Sequence, residues 1–108
     1  ALIQLLDEFM GSNRGDKIIV FSFFKITLRY LETILATTFR GQISLLTGDL
    51  NPQERWDSIQ EFRENSKKKI LLSSEVGAEG IDLQFCNALV NYDLPWNPMK
   101  IEQINKVI

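Results

Sequence analysis

The spacing of apolar positions changes several times along this chain, and each change marks a new element. Leu2, Leu5, Leu6 and Phe9 recur at three- and four-residue steps, which predicts an amphipathic helix closed by Gly11 and the turn-rich run "GSNRGD". From Lys17 to Phe24 the run "KIIVFSFF" is almost continuously apolar, as in a strand covered on both faces. Leu28, Leu31 and Leu35 then form the buried stripe of a second helix, which Gly41 can close, and "QISLLTG" predicts a second strand. Asn51 as N-cap, Pro52 at the first helical position and Glu54 at the third make a capping-box-like start. Trp56, Ile59 and Phe62 follow as the inner face of that third helix, which is expected to end near Asn65.

Two more strands follow, Lys69 to Ser73 and Ala88 to Tyr92, and 14 residues separate Ser73 from Ala88. A crossover between parallel strands needs about a dozen residues, so this connection has room for one short helical turn. Asn97 and Pro98 predict the start of a final helix that runs towards the end. Strands alternating with helices give an α/β domain: a mainly parallel open sheet with helices on both faces, in three layers. Ligands of such folds collect at the carboxyl ends of the strands.

Length and composition narrow the class. The 108 residues make one domain, and 44% apolar residues with seven Phe and two Trp give it a core. No apolar run approaches the roughly 20 residues that span a bilayer. Asp7 and Glu8 within the first ten residues do not suit a signal peptide. One cysteine, Cys86, excludes an internal disulfide, favours a reducing compartment and reads as a buried small hydrophobe. With no His and one Cys, no transition-metal cluster is expected. A net charge of -2 does not suit a protein that coats nucleic acid, so any such contact would use a local patch.

The candidate chemistry lies at the strand ends. Ser22, with Lys25 just beyond, offers a hydroxyl at the mouth of a helix whose free amides suit a phosphate oxygen; a helix cap is the competing reading. Thr47, Gly48 and Asp49 form a turn at the equivalent place, where a plain loop competes. Ser73, Ser74, Gly77 and Gly80 offer hydroxyls and unobstructed amides that could nest an anion. Asp82, two residues past Gly80, is placed to accept a hydrogen bond from a ribose hydroxyl or from an arginine of a neighbouring lobe. No Gly-Lys-Ser/Thr and no GxGxxG accompanies them, so this is neither a Walker A cradle nor a dinucleotide fingerprint. Lys67, Lys68 and Lys69 read as a solvated helix carboxyl end, and Glu75 with Glu79 lacks any neighbour that would make it an acid/base pair.

In combination these segments resemble the second RecA-like lobe of superfamily-two helicases, closest to the Swi/Snf-type branch that includes RapA (HepA)-like ATPases. "KIIVFSFF" looks like motif IV, "LLTGDLNPQERWDSIQEF" like the strand, turn and helix that follow it, "SSEVGAEGIDL" like motif V, and "NYDLPWNPMKIEQ" like the approach to motif VI. The resemblance covers residues 1–108 and implies a P-loop NTPase-like fold. It implies that Ser22, Thr47, Gly48 and Ser74 meet the sugar-phosphate backbone of a nucleic acid, expected to be double-stranded DNA. It assigns Gly80, Asp82 and Gln103 to nucleotide binding and coupling. ATP and Mg would lie between this lobe and an N-terminal RecA-like lobe that supplies the Walker A lysine.

The pattern also departs from the family. After Gln103 the family has arginines that stabilise the transferring phosphoryl group, whereas this chain reads Ile104, Asn105, Lys106, Val107, Ile108. A lysine lacks the planar fork of such an arginine. The expectation is a lobe truncated within motif VI, with no catalytic residue, no metal and no bound cofactor of its own, that does not hydrolyse ATP alone. Its location would be cytoplasmic, or nucleoid-associated if bacterial, and its exposed lobe face could support self-association. A non-catalytic nucleic-acid-binding or assembly module is the alternative.

Overall fold

A computed structural model of the chain describes residues 2–12, 16–74, 85–93 and 102–103. The order is α1 (Leu2–Ser12), β1 (Ile18–Phe21), α2 (Lys25–Thr38), β2 (Ile43–Leu46), α3 (Pro52–Glu64), β3 (Ile70–Ser73), β4 (Ala88–Asn91) and β5 (Glu102–Gln103). The strands form one sheet in the order β2-β3-β1-β4-β5. The first four are parallel and share one register: Ile18 faces Ile70 and Ala88, and Ile43 faces Ile70.

Alternation along the strands divides the core in two. Ile18, Val20, Ile70, Leu72, Ala88 and Val90 point to one face, where Leu2, Leu6 and Phe9 of α1 and Leu28, Leu31 and Leu35 of α2 cover them. Ile19, Leu46 and Leu71 point to the other, against Ile59 and Phe62 of α3 and against Cys86. Both faces are therefore buried, which is why β1 and β3 read as unbroken apolar runs. This is the three-layer α/β arrangement that the sequence predicts. Among the described residues no helix is long and apolar enough to cross a membrane.

The helix boundaries follow local chemistry. Asn51 accepts from the Glu54 amide at 2.8 Å while the Glu54 carboxylate accepts from the Asn51 amide at 2.9 Å, so the capping box closes as expected. Asn65 is the C-cap of α3. Gly41 adopts φ 76° in the turn after α2, a conformation that costs glycine nothing.

Four expectations change. The apolar run from Lys17 to Phe24 leaves the sheet at Phe21, and Phe23 and Phe24 are 59% and 60% exposed. Apolarity marked the run but not its end, which comes where the last ladder bond, Ser22 N–H to Ser73 O, is made. Trp56 is exposed rather than buried beside Ile59 and Phe62. At 3.6 residues per turn it lies about 120° around the helix from Phe62, beyond the stripe that meets the sheet. Glu102 and Gln103, expected in a helix, pair antiparallel with Leu89 and Ala88. There they satisfy backbone groups on the free edge of β4. Finally, Lys68 is not simply solvated, since its ammonium donates to Ile43 O at 3.0 Å. Asn97, Pro98 and the connection through Gly77 lie outside the described residues.

Candidate nucleic-acid interface

Because β1 to β4 are parallel and in register, their carboxyl ends make one rim. Phe21 pairs with both Ser73 and Asn91, and Leu46 with Ser73, so the next residue of each strand emerges at the same level. Across the rim these are Thr47, Ser74, Ser22 and Tyr92, on strands about 4.8 Å apart. Backbone bonds fix the level: Ser22 N–H to Ser73 O at 3.1 Å, Ser74 N–H to Leu46 O at 3.1 Å, and Tyr92 N–H to Phe21 O at 2.9 Å. Four residues expected to meet phosphate, Ser22, Thr47, Gly48 and Ser74, are thus brought together, although they are up to 52 positions apart in sequence.

Three of the four are buried, with Ser22 at 2%, Thr47 at 4% and Ser74 at 8% exposure, while Gly48 is exposed. Two of their hydroxyls already hold an anion. The Ser22 hydroxyl donates to Asp93 Oδ2 at 2.8 Å, and the Phe23 amide donates to the same oxygen at 2.5 Å. The Thr47 hydroxyl donates to Asp49 Oδ1, and the Lys25 ammonium pairs with Asp49 Oδ2 at 3.1 Å. The Thr47 hydroxyl, and after it Lys25, hold the Asp49 carboxyl down to about 2 against an ordinary 3.8. Ser73 turns its hydroxyl to Ser74 O at 2.9 Å.

Ser22 does not cap α2 in the sense its position suggested. Phe24 is the N-cap and makes no side-chain bond of its own, whereas the Ser22 oxygen accepts from the Phe24 amide at 3.2 Å. Asp93 is the residue that sequence reasoning missed. Its partners lie 70 and 71 positions away, and only the parallel pairing of β1 with β4 brings them together. Around this rim Phe23, Phe24, Ile26 and Tyr30 leave an exposed apolar surface.

Of the remaining site residues only Gln103 is described, and it is not at the rim. Gly80 and Asp82 lie outside the described residues. Gln103 pairs with Ala88 at the start of β4, so its backbone sits at the opposite end of the sheet. At that opposite end Lys17, buried, sends its ammonium to Asn65 O at 3.0 Å and to Lys68 O, and lies 4.7 Å from the Phe62 ring centroid. Lys17 therefore adds a cation at the carboxyl end of α3, beside Arg63 of the last turn and the Lys67–Lys69 run. Burial, and then the charge of Lys69, lower its affinity for a proton. Burial also pushes the Cys86 thiol up to about 12, so this cysteine serves as a small apolar group. Among the described residues no three His, Cys, Asp or Glu side chains gather as metal ligands would.

Known proteins with this layout are consistent with one another. The helicase conserved C-terminal domain matches residues 1–106. An uncharacterised ATP-dependent helicase of Bacillus subtilis (strain 168), YqhH, is 40% identical over 88 residues, 82% of this chain and 15% of that protein. The RNA polymerase-associated protein RapA of Vibrio parahaemolyticus is 36% identical over 109 residues, 94% of this chain and 10% of that protein. Among solved structures, the Sulfolobus solfataricus SWI2/SNF2 ATPase core in complex with double-stranded DNA superimposes with a TM-score of 0.74 at 29% identity, covering 85% of this chain and 19% of that one. The chain thus spans a small part of each of these proteins. With the family match running over residues 1–106, the chain belongs to the helicase conserved C-terminal domain family, and the solved structures it resembles include Swi2/Snf2 ATPase C-terminal domains.

Proposed function

We propose that this chain is the second lobe of an ATP-dependent nucleic-acid translocase, contributing phosphate-backbone contacts and one wall of an interlobe ATP cleft. The observation that carries the reading is the rim itself. It gathers Ser22, Thr47, Gly48 and Ser74 from three separate strand ends at one level. Hydroxyls and amides in that arrangement fit phosphate oxygens, and such contacts position a strand without reading its sequence. In this reading double-stranded DNA is the track; the SWI2/SNF2 ATPase core to which the chain is similar is in complex with double-stranded DNA. Gly80, Asp82 and Gln103 would serve the nucleotide side.

ATP and Mg would bind between this lobe and an N-terminal RecA-like partner. The 108 residues hold no Gly-Lys-Ser/Thr, so the main phosphate cradle has to come from outside them. ATP hydrolysis is therefore expected only with the partner lobe present. A cytoplasmic location belongs to the same reading, and self-association through Phe23, Phe24, Ile26 and Tyr30 would appear in sedimentation as a concentration-dependent dimer.

The test is salt-dependent binding of a labelled duplex DNA. Ser74→Ala removes one hydroxyl from the rim, and loss of a hydrogen bond to a charged group corresponds to roughly tenfold in affinity. Unchanged binding by a folded Ser74→Ala protein would remove the phosphate-track assignment.

A further inference from the structure

The two seats on the rim are already filled by carboxylates of the same chain, and this bears on how the proposed track would engage. Each carboxylate takes two donors. Asp93 Oδ2 takes the Ser22 hydroxyl and the Phe23 amide. Asp49 takes the Thr47 hydroxyl and the Lys25 ammonium. A phosphate oxygen is the same class of acceptor as a carboxylate oxygen, and both make short, charge-assisted bonds to such donors. Two anions cannot use one buried hydroxyl proton at once.

We propose that Asp93, and with it Asp49, is an internal stand-in for a backbone phosphate, so that nucleic acid engages this rim only by displacing the carboxylates from the Ser22–Phe23 and Thr47–Lys25 donors. This rests on the phosphate-track reading above and adds a competing, autoinhibitory contact to it. Asp93 is the firmer of the two. Its seat includes the hydroxyl of Ser22, a residue only 2% exposed, and a backbone amide, and it bridges the ends of β1 and β4. The Asp49 and Lys25 side chains are about half exposed, so solvent screens that pair.

The consequence is a reduced apparent affinity. A site open only a fraction of the time binds more weakly by that fraction. A net charged hydrogen bond corresponds to roughly tenfold in an equilibrium constant, so Asp93 should hold its seat closed by about that factor.

The sign of the effect separates this proposal from a purely structural role. If Asp93 only braces the loop between β1 and α2, its removal loosens the rim and weakens binding. If it competes, its removal strengthens binding. The experiment is fluorescence anisotropy of a mixed-sequence duplex DNA at fixed salt with the wild-type protein, Asp93→Ala, Asp93→Asn, and Asp57→Ala as a control for loss of one negative charge elsewhere on the surface.

The expected result is roughly tenfold tighter binding for Asp93→Ala and a smaller gain for Asp93→Asn, which keeps an acceptor but not its charge. Asp57→Ala should gain much less, and the Asp93→Ala gain should largely vanish in a Ser22→Ala background. Binding that is unchanged or weaker in a folded Asp93 variant overturns the proposal. So does a gain no larger than that of Asp57→Ala. Should Asp93→Ala fail to fold, Asp93→Asn carries the same comparison. Ser74→Ala separates the two levels. If Ser74→Ala has no effect, the phosphate track itself falls; if it weakens binding while Asp93→Ala does not tighten it, only the competition falls.

Discussion

Phe62 is where the stability of the second sheet face is concentrated. It is fully buried, it is one of two buried side chains that α3 lays on the sheet, and its ring meets two neighbours besides the strands. The Phe85 ring centroid lies 6.0 Å away, tilted by 53°, and the Lys17 ammonium lies 4.7 Å from the Phe62 centroid. Truncation to alanine should remove the buried area and leave a cavity, at about 3 to 5 kcal/mol. Phe62→Leu keeps most of the apolar volume. It loses the ring pair, about 0.5 to 1.5 kcal/mol, and the cation contact, about 0.5 to 1 kcal/mol, so its cost should be roughly 1 to 3 kcal/mol. Against a total stability of about 5 to 15 kcal/mol for a domain of this size, the alanine variant approaches unfolding and the leucine variant does not. Urea denaturation followed by circular dichroism reads both as a fall in midpoint at constant slope. A double-mutant cycle with Lys17→Met isolates the cation contact, at about 0.5 to 1 kcal/mol. A cost below about 1 kcal/mol for Phe62→Ala would refute the anchoring role of this side chain, and zero coupling in the cycle would refute the contact with Lys17.

Three further predictions concern groups at the ends of elements. Asn51→Ala should destabilise the domain by about 1 kcal/mol, because the Glu54 amide loses its acceptor; thermal melts with and without Glu54→Gln show whether the two halves of the box act together. An NMR pH titration should find the Asp49 carboxyl ionising at about 2, and Thr47→Val should raise it towards 3.8, because the Thr47 hydroxyl is the largest cause of the shift. Since the folded state holds this proton more weakly than the unfolded chain, the stabilising effect is complete above 3.8 and is lost as pH falls towards 2. The Cys86 thiol, pushed up to about 12 by burial, should resist alkylation by iodoacetamide at pH 8 until denaturant opens the core; rapid labelling of the native protein would contradict its placement against α3.

Much of this molecule could be read from spacing alone, because the relevant physics is local. Apolar residues three and four apart line one face of a helix, and a short unbroken apolar run bounded by turn residues suits a strand covered on both sides. Hence α1, α2 and the four parallel strands were legible, and so was the Asn51–Glu54 cap, whose donor and acceptor lie three residues apart. The segments carrying Ser22, Thr47, Gly48 and Ser74 were also recognisable in order along the chain.

What spacing could not supply is whatever depends on strands far apart in sequence becoming neighbours. The order β2-β3-β1-β4-β5 puts Thr47, Ser74 and Ser22 on one rim and moves Gln103 to the other end of the sheet. It turns Trp56 outward, since only the sheet decides which arc of α3 is buried. It also joins Lys17 to the end of α3 and Asp93 to Ser22, pairs separated by 48 or more positions. The amino-acid order determined which groups were available at each strand end; the tertiary structure decided which of them meet, because hydrogen bonds and charges act over a few ångströms of space and take no account of distance along the chain.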